Sequence, residues 1–158
     1  MKQKQEPFMI HFVCRGNTYR SRVAAAYTAT LIDDRFRVSS SGIETYNSSI
    51  RTSELYAQAI AHAHNLTFGM DDPKTQTTDD LLSGADVIVF LNQDVYSDAL
   101  TRYSFDTSKA LAWDIADIEL SVRTEILASK SEPAQVQATA ATFQQIKEHC
   151  DTLYAQLT

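Results

Sequence analysis

Glycine and proline are scarce in this 158-residue chain, at four and three residues, which excludes a collagen-like repeat or a Pro/Gly-rich disordered polymer. Cysteine is scarcer still: Cys14 and Cys150 cannot build a disulfide framework, and neither has a second Cys or a His at a zinc-like spacing. Each is therefore read as a lone thiol. Long apolar runs are missing as well. Stretches such as Val87–Leu91 are far too short to cross a bilayer, and the opening Met1-Lys2-Gln3-Lys4-Gln5-Glu6 leads into no signal-length apolar segment. The expectation is a protein with no membrane partner and a cytoplasmic address. With 44% hydrophobic and 22% charged residues, intrinsic disorder is excluded, and the length predicts one domain over 1–158.

The net charge of -6 argues against nucleic acid as a main partner. The charge is unevenly placed. Residues 1–22 hold five basic side chains (Lys2, Lys4, Arg15, Arg20, Arg22) against Glu6 alone, net +4, and the remainder is net -10. A small cationic spot in an acidic body suits a compact anion better than a polyanion.

Phe8–Val13 is a β-branched and aromatic run of the kind found in a strand buried on both faces. It ends at Cys14, Arg15–Tyr19 is turn-like, and Ser21–Ile32 predicts a helix. Further elements follow: a strand over Arg35–Ser40, a helix over Arg51–Asn65 with Leu55, Ala59 and His62 on one face, and a helix start at Thr77–Asp80. Then come a strand over Asp86–Leu91, a helix over Asp94–Tyr103 and a strand over Lys109–Trp113. From Pro133, the residues Val136, Ala140, Phe143, Ile146, Cys150, Leu153 and Leu157 mark a long amphipathic helix. Segments 41–53 and 67–78 read as irregular loops. Alternating strands and helices predict an α/β fold with a parallel sheet covered on both faces, and ligands in such sheets bind beyond the carboxyl ends of the strands, where Cys14 lies.

Cys14-Arg15-Gly16-Asn17-Thr18-Tyr19-Arg20-Ser21 sets a cysteine five residues before an Arg-Ser pair, between a strand and a helix. Main-chain amides of a short loop entering a helix form an anion cradle, helped by the helix dipole. Gly16 is expected to supply a positive φ, and Asn17 to brace the loop or itself adopt the left-handed conformation. Arg20 can grip two phosphate oxygens with its planar fork. The same cradle favours a thiolate. Ionising a thiol near pH 5 instead of ~8.5 needs about 5 kcal/mol, and a helix dipole supplies at most ~2 kcal/mol. Loop amides, Arg20 and a hydroxyl donor, for which Ser21 is the candidate, must contribute the rest. The bland alternative is a small buried cysteine at a strand end, but the glycine, the Arg-Ser pair and the strand-loop-helix context all favour the functional reading.

Val13, Cys14, Gly16, Asn17, Arg20 and Ser21 resemble the V-C-x-G-N-x-C-R-S active-site segment of the low-molecular-weight protein tyrosine phosphatases. The resemblance implies a flavodoxin-like three-layer fold, with a four-stranded parallel sheet in the order 2-1-3-4 and helices on both faces. It implies a phosphocysteine mechanism with no metal or other cofactor. Cys14 would be the nucleophile, Arg20 the phosphate clamp, Asn17 the loop brace and Ser21 the thiolate donor, with Arg15, Gly16, Thr18 and Tyr19 completing the phosphate loop. Ser40-Ser41-Gly42 resembles the family's S-A-G, making Ser40 a partner for Asn17, and Tyr46 stands where an aromatic lines the substrate crevice. Trp113-Asp114-Ile115-Ala116-Asp117-Ile118 resembles D-I-P-D-P with both prolines lost. By register Asp117 is the general acid and Asp114 the alternative, although Asp114 could equally serve as a helix N-cap. Without the prolines the acid loop is expected to hold its carboxylate less firmly.

The implied substrate is a phosphotyrosine protein or a small aryl phosphate, with Tyr46 and Trp113 facing an aromatic leaving group. Phosphate, sulfate and vanadate are the expected competing anions. His62 and His64, two apart on a helix, make a poor metal pair. His11 is expected in a buried strand without a catalytic role, Cys150 in the core, and Asp71-Asp72-Pro73 in a solvated turn. Two rivals remain. A binding module would hold phosphate or phosphotyrosine without turnover, and a thioredoxin-coupled arsenate reductase would need two further cysteines past mid-chain, where residues 67–107 have none.

Arg22 and Ala25 stand where Pro and Glu are common in the family, changes expected to affect rigidity and packing more than chemistry. Tyr19 replaces the frequent second cysteine, so a protective disulfide cannot form within the loop. Peroxide should therefore inactivate this protein faster than family members that carry both cysteines, as followed by loss of the titratable Cys14 thiol.

Overall fold

The computed structural model describes residues 5–46, 51–116 and 131–158. Strand β1 spans Phe8–Cys14 and leads through a tight loop into helix α1, Arg20–Ala29. Strand β2 (Phe36–Gly42), helix α2 (Arg51–His64), helix α3 (Asp79–Ser83), strand β3 (Val87–Phe90) and helix α4 (Gln93–Arg102) follow. A 3-10 turn, Thr107–Lys109, enters strand β4 (Ala110–Ala112), and helix α5 runs from Glu132 to Leu157. The strands form one parallel sheet in the order β2-β1-β3-β4. This is the flavodoxin-like α/β architecture.

Side chains of a strand alternate between the faces of its sheet, and here each face feeds its own core. Ile10, Phe12 and Cys14 of β1, Phe36 and Val38 of β2, and Val87 and Val89 of β3 pack with Val23 and Ala24 of α1, Tyr56 and Ile60 of α2, and Phe143, Ile146, Cys150 and Leu153 of α5. On the other face Val13, Ile88 and Phe90 pack against Leu82 of α3 and Val95 and Ala99 of α4. The alanine-rich α1 is buried along nearly its whole length, because small side chains let it lie close to its neighbours. Local chemistry starts the other helices: Thr78 caps α3 through Leu81 N (3.2 Å), Asn92 caps α4 through Val95 N (2.9 Å), and Ser131 caps α5 just before Pro133, each such cap stabilising by about 1 kcal/mol.

Several sequence expectations need correction. In α2 the buried set is Tyr56, Ala57, Ala59, Ile60 and Ala61, whereas Leu55 and His62 are exposed; alanines on both sides of the helix left its rotation open, and the bulk of Tyr56 and Ile60 decided it. In α5 Thr139 is buried and Ala140 exposed. The loop expected over 41–53 starts later than predicted, since Ser41 and Gly42 complete β2. Trp113 packs against Phe12 and His149, with ring centroids at 5.9 and 5.0 Å, and the cavity it lines is shared with Glu148, His149 and Gln156 of α5 and not with the Cys14–Arg20 loop. Cys150, by contrast, lies in the core as expected, at zero exposure, where burial pushes its thiol up to about 12.

The one imidazole inside the sheet is neutral. His11 of β1 is 1% exposed and is paired beside β2, with Nδ1 at 2.6 Å from Ser39 Oγ and Nε2 at 2.7 Å from Ser41 Oγ. Burial lowers its pKa to about 4 from the ordinary 6.5, so the unfolded chain binds a proton that the folded chain refuses between those values. Stability conferred by the neutral ring is complete above pH 6.5 and is lost as pH falls toward 4. Denaturant unfolding should show wild type losing about 2 kcal/mol more than His11→Gln between pH 7.5 and pH 5; equal losses would remove this account.

Candidate phosphate-loop site

The loop from Cys14 to Arg20 follows β1 at the carboxyl end of the sheet, and its carbonyls are held on the outside. Ile43 N donates to Cys14 O at 3.1 Å, Glu44 N to Arg15 O at 2.7 Å, and Arg22 Nε to Asn17 O at 3.2 Å. In a trans peptide the N–H points opposite to the C=O, and the described chain has no cis bonds. The amides of Arg15, Gly16 and Thr18 therefore face the inner side of the loop. Asn17 N is turned in directly, 3.3 Å from Cys14 Sγ, and Ser21 Oγ stands 2.9 Å from the same sulfur. Converging main-chain N–H groups of this kind make an anion nest.

Asn17, not Gly16, takes the left-handed conformation, with φ at 55°. Such a backbone costs a non-glycine residue roughly 1–2 kcal/mol, and the asparagine side chain supplies the compensation. Its Nδ2 donates to Ser21 Oγ (2.9 Å) and Ser40 Oγ (3.0 Å), and its Oδ1 accepts from Thr75 N (2.9 Å). Thr75 belongs to a segment tied to the end of β2: Gly42 N donates to Thr75 O and Thr77 N to Gly42 O, both at 2.9 Å. The Ser41 hydroxyl, shared with His11, reaches Thr77 Oγ1 at 2.7 Å. Gly42 itself lies under the loop, where a Cβ would sit 2.6 Å from Asn17 N and 2.7 Å from Arg15 O. No side chain fits there.

The other candidate residues are distributed as follows. Arg20 opens α1, is 5% exposed, and donates through Nη1 to Ile115 O at 3.0 Å, joining the loop to the segment beyond β4. Ile115 is itself buried and hangs from Leu91 O at 3.0 Å. Asp114, beside it, is exposed, and Asp117 lies outside the described residues. The side chain of Arg15 is taken up by carboxylates, Glu44 at 3.2 Å and Asp98 at 2.8 Å, and Arg102 joins Glu44 at 2.7 Å. Only its amide remains for an anion. Tyr19 turns its ring into the core at 2% exposure beside Thr139, where burial raises its phenol, so it too serves the loop through its main chain. The buried Thr18 side chain lines a cavity of about 400 Å³ with Arg22, Gln58 and Lys74 on the outer flank of the loop. Tyr46 is 76% exposed.

Sequence reasoning overlooked Gly42 as the floor of the loop, Thr75 as the partner of Asn17, and the Arg15–Glu44–Arg102–Asp98 rim. The position of a glycine at a strand end was the available signal for the first; the others come from segments distant in sequence. Among the described residues no group of three or more His, Cys, Asp or Glu side chains is placed to hold a metal, and no helix is long and apolar enough to cross a membrane. A larger cavity, about 800 Å³ and lined by Glu6, Asp33, Phe36 and Arg37, opens at the amino-terminal end of β1 and β2, away from Cys14.

A cysteine at the centre of an amide nest after β1 of a flavodoxin-like sheet defines a class of phosphate-loop proteins. A sequence model of the family described as low molecular weight phosphotyrosine protein phosphatase matches residues 9–158, and the chain belongs to that family. A curated relative, arsenate reductase 1 of Staphylococcus saprophyticus, is 29% identical over 85 residues, covering 54% of this chain; the match spans 60% of that protein's length. Among solved structures, Wzb of Vibrio vulnificus in complex with benzylphosphonate superposes with a TM-score of 0.70 at 22% identity, covering 94% of this chain and 98% of that one. The arginine phosphatase YwlE of Geobacillus stearothermophilus gives 0.68 at 18% identity, with 95% of each chain covered. A protein tyrosine phosphatase of Entamoeba histolytica gives 0.72 at 16%, again with 95% of each chain covered.

Two variants test the nest. Gly42→Ala should cost about 2 kcal/mol of stability through overpacking against loop backbone, read by denaturant unfolding. Ser21→Ala removes a donor to the sulfur and should slow iodoacetamide alkylation of Cys14 at pH 6 about tenfold, the worth of one hydrogen bond to a charged group.

Proposed function

We propose that this chain is a cysteine-dependent phosphatase that hydrolyses phosphotyrosine and aryl phosphate monoesters through a phosphocysteine intermediate. The observation that carries the reading is the sulfur of Cys14 set among the Asn17 amide, the Ser21 hydroxyl and a ring of inward N–H groups. That arrangement stabilises a thiolate before substrate arrives and three phosphoryl oxygens afterwards. In the first step the Cys14 thiolate attacks phosphorus. The S–P bond forms, the ester P–O bond breaks, and the departing oxygen takes a proton from Asp117, the assigned general acid. In the second step water attacks phosphorus, Asp117 accepts its proton, and the S–P bond breaks to release phosphate and the thiolate.

Arg20 is assigned to clamp the equatorial oxygens, and its anchorage on the Ile115 carbonyl supports this by fixing the guanidinium at the end of the loop. Ser21 holds the thiolate, and Asn17 with Ser40 keeps the loop in shape. Tyr46, exposed beyond the rim, is assigned to the aromatic leaving group, a choice supported by the benzylphosphonate bound in the Vibrio relative. An unpaired nucleophilic thiol fits a reducing, cytoplasmic setting. A reductase reading draws on the arsenate reductase relative, but the relay it requires lacks cysteines here: besides Cys14 there is only Cys150, fully buried on α5.

Steady-state assays of wild type, Cys14→Ser and Asp117→Asn on p-nitrophenyl phosphate, phosphotyrosine peptide and phosphoarginine test the proposal. Wild type should turn over the first two with orthovanadate competing, and Cys14→Ser should be inactive. Asp117→Asn should lose about 10²- to 10⁴-fold, most with poor leaving groups. Phosphate-competitive binding without turnover by wild type would make the protein a binding module, and turnover of phosphoarginine alone would overturn the substrate class.

A further inference from the structure

Three loop carbonyls are held outward, two by main-chain amides of the segment after β2 and the third by a side chain. That side chain is Arg22. It lies in the first turn of α1, two residues past Arg20, and is 7% exposed. Its Nε donates to Asn17 O at 3.2 Å, while Nη1 donates to Gly69 O at 2.9 Å, Asp72 O at 2.7 Å and Met70 O at 3.4 Å. All four partners are main-chain carbonyls. Among the described residues Arg22 makes no ion pair, although Glu54, Asp71 and Asp72 line the same cavity, so main-chain carbonyls alone fix its guanidinium.

We propose that Arg22 is a positioning residue of the phosphate loop, holding the Asn17 carbonyl outward so that the Thr18 N–H points at the bound oxyanion. The inference rests on reading the loop as a phosphate cradle. The peptide between Asn17 and Thr18 follows a residue in the left-handed region, and flipping that peptide would turn its carbonyl toward the anion and its amide away. Side-chain bonds from Asn17 hold residue 17 in place, but the described contact on its carbonyl is Arg22. The carbonyls of Gly69, Met70 and Asp72 in turn fix the guanidinium, so it cannot follow a flipped peptide. A lysine keeps the charge but reaches fewer of these acceptors in a fixed geometry.

The test uses inorganic phosphate binding followed by amide NMR, with unfolding measured in parallel. In wild type, phosphate should shift the Thr18 amide together with those of Gly16 and Asn17. Arg22→Gln should bind phosphate about tenfold more weakly, as expected when one donor to a charged acceptor is lost; its Thr18 response should vanish, and Arg22→Lys should recover part of the affinity. A wild-type Thr18 amide that ignores phosphate while Gly16 and Asn17 respond overturns the proposal whether or not the variants fold. Equal affinity and an intact Thr18 response in folded Arg22→Gln overturn it as well, and leave the phosphatase reading standing. Wild-type protein that binds no phosphate overturns both.

Discussion

Asn17 sits with φ at 55°, a backbone state that disfavours side-chain-bearing residues, and the site depends on the polar bonds that keep it there. They arrive from three directions: Ser21 on α1, Ser40 on β2 and Thr75 on the segment bridged to Gly42. Each bond contributes on the order of 1 kcal/mol, enough together to offset the local strain. The result is a loop whose N–H groups converge before any ligand is present, so little reorganisation is left for the moment an anion binds.

The same constraint explains features of the scaffold at a distance from the sulfur. Strand β2 must run to Gly42 because its last residues carry Ser40 and the bare Cα under the loop. The neutral His11 is part of this brace, since Ser41 bonds both its ring and Thr77, and the 75–77 segment holds the Asn17 amide oxygen. Arg20 couples the loop to Ile115, which hangs from the end of β3. The mouth is therefore assembled from all four strand ends, as expected for a parallel sheet whose ligand lies beyond its carboxyl edge. At the rim the cationic spot read from composition is only partly open to solvent. Arg15 is spent on Glu44 and Asp98, and Arg20 and Arg22 are buried, so anion attraction falls mainly to amides and to guanidinium groups inside the wall.

Much of this was legible in sequence because it is local. The run Phe8–Val13 could be read as a doubly buried strand, and Pro133 with the apolar stripe after it as a long helix. Cysteine-to-arginine spacing between a strand and a helix pointed to an anion loop. Errors arose where two local solutions were nearly equivalent. Gly16 and Asn17 both tolerate a positive φ, and long-range hydrogen bonds available only to the asparagine side chain settled which one adopts it. In α2 the alanines allowed two rotations, and Trp113 was read as facing the leaving group, whereas it lines a cavity beside α5 and packs against Phe12 and His149.

Sequence alone determined the chemistry at the end of β1: a thiol, an arginine and a serine at spacings that one tight loop and one helical turn bring together, since such distances are set by backbone geometry within eight residues. Tertiary structure decided which way the loop's peptides face. Their carbonyls are held by Ile43, Glu44 and Arg22, and their floor is Gly42. Those partners come from separate segments, so their meeting depends on the packing of β2 and α1 around β1 and on no pattern confined to residues 14–21.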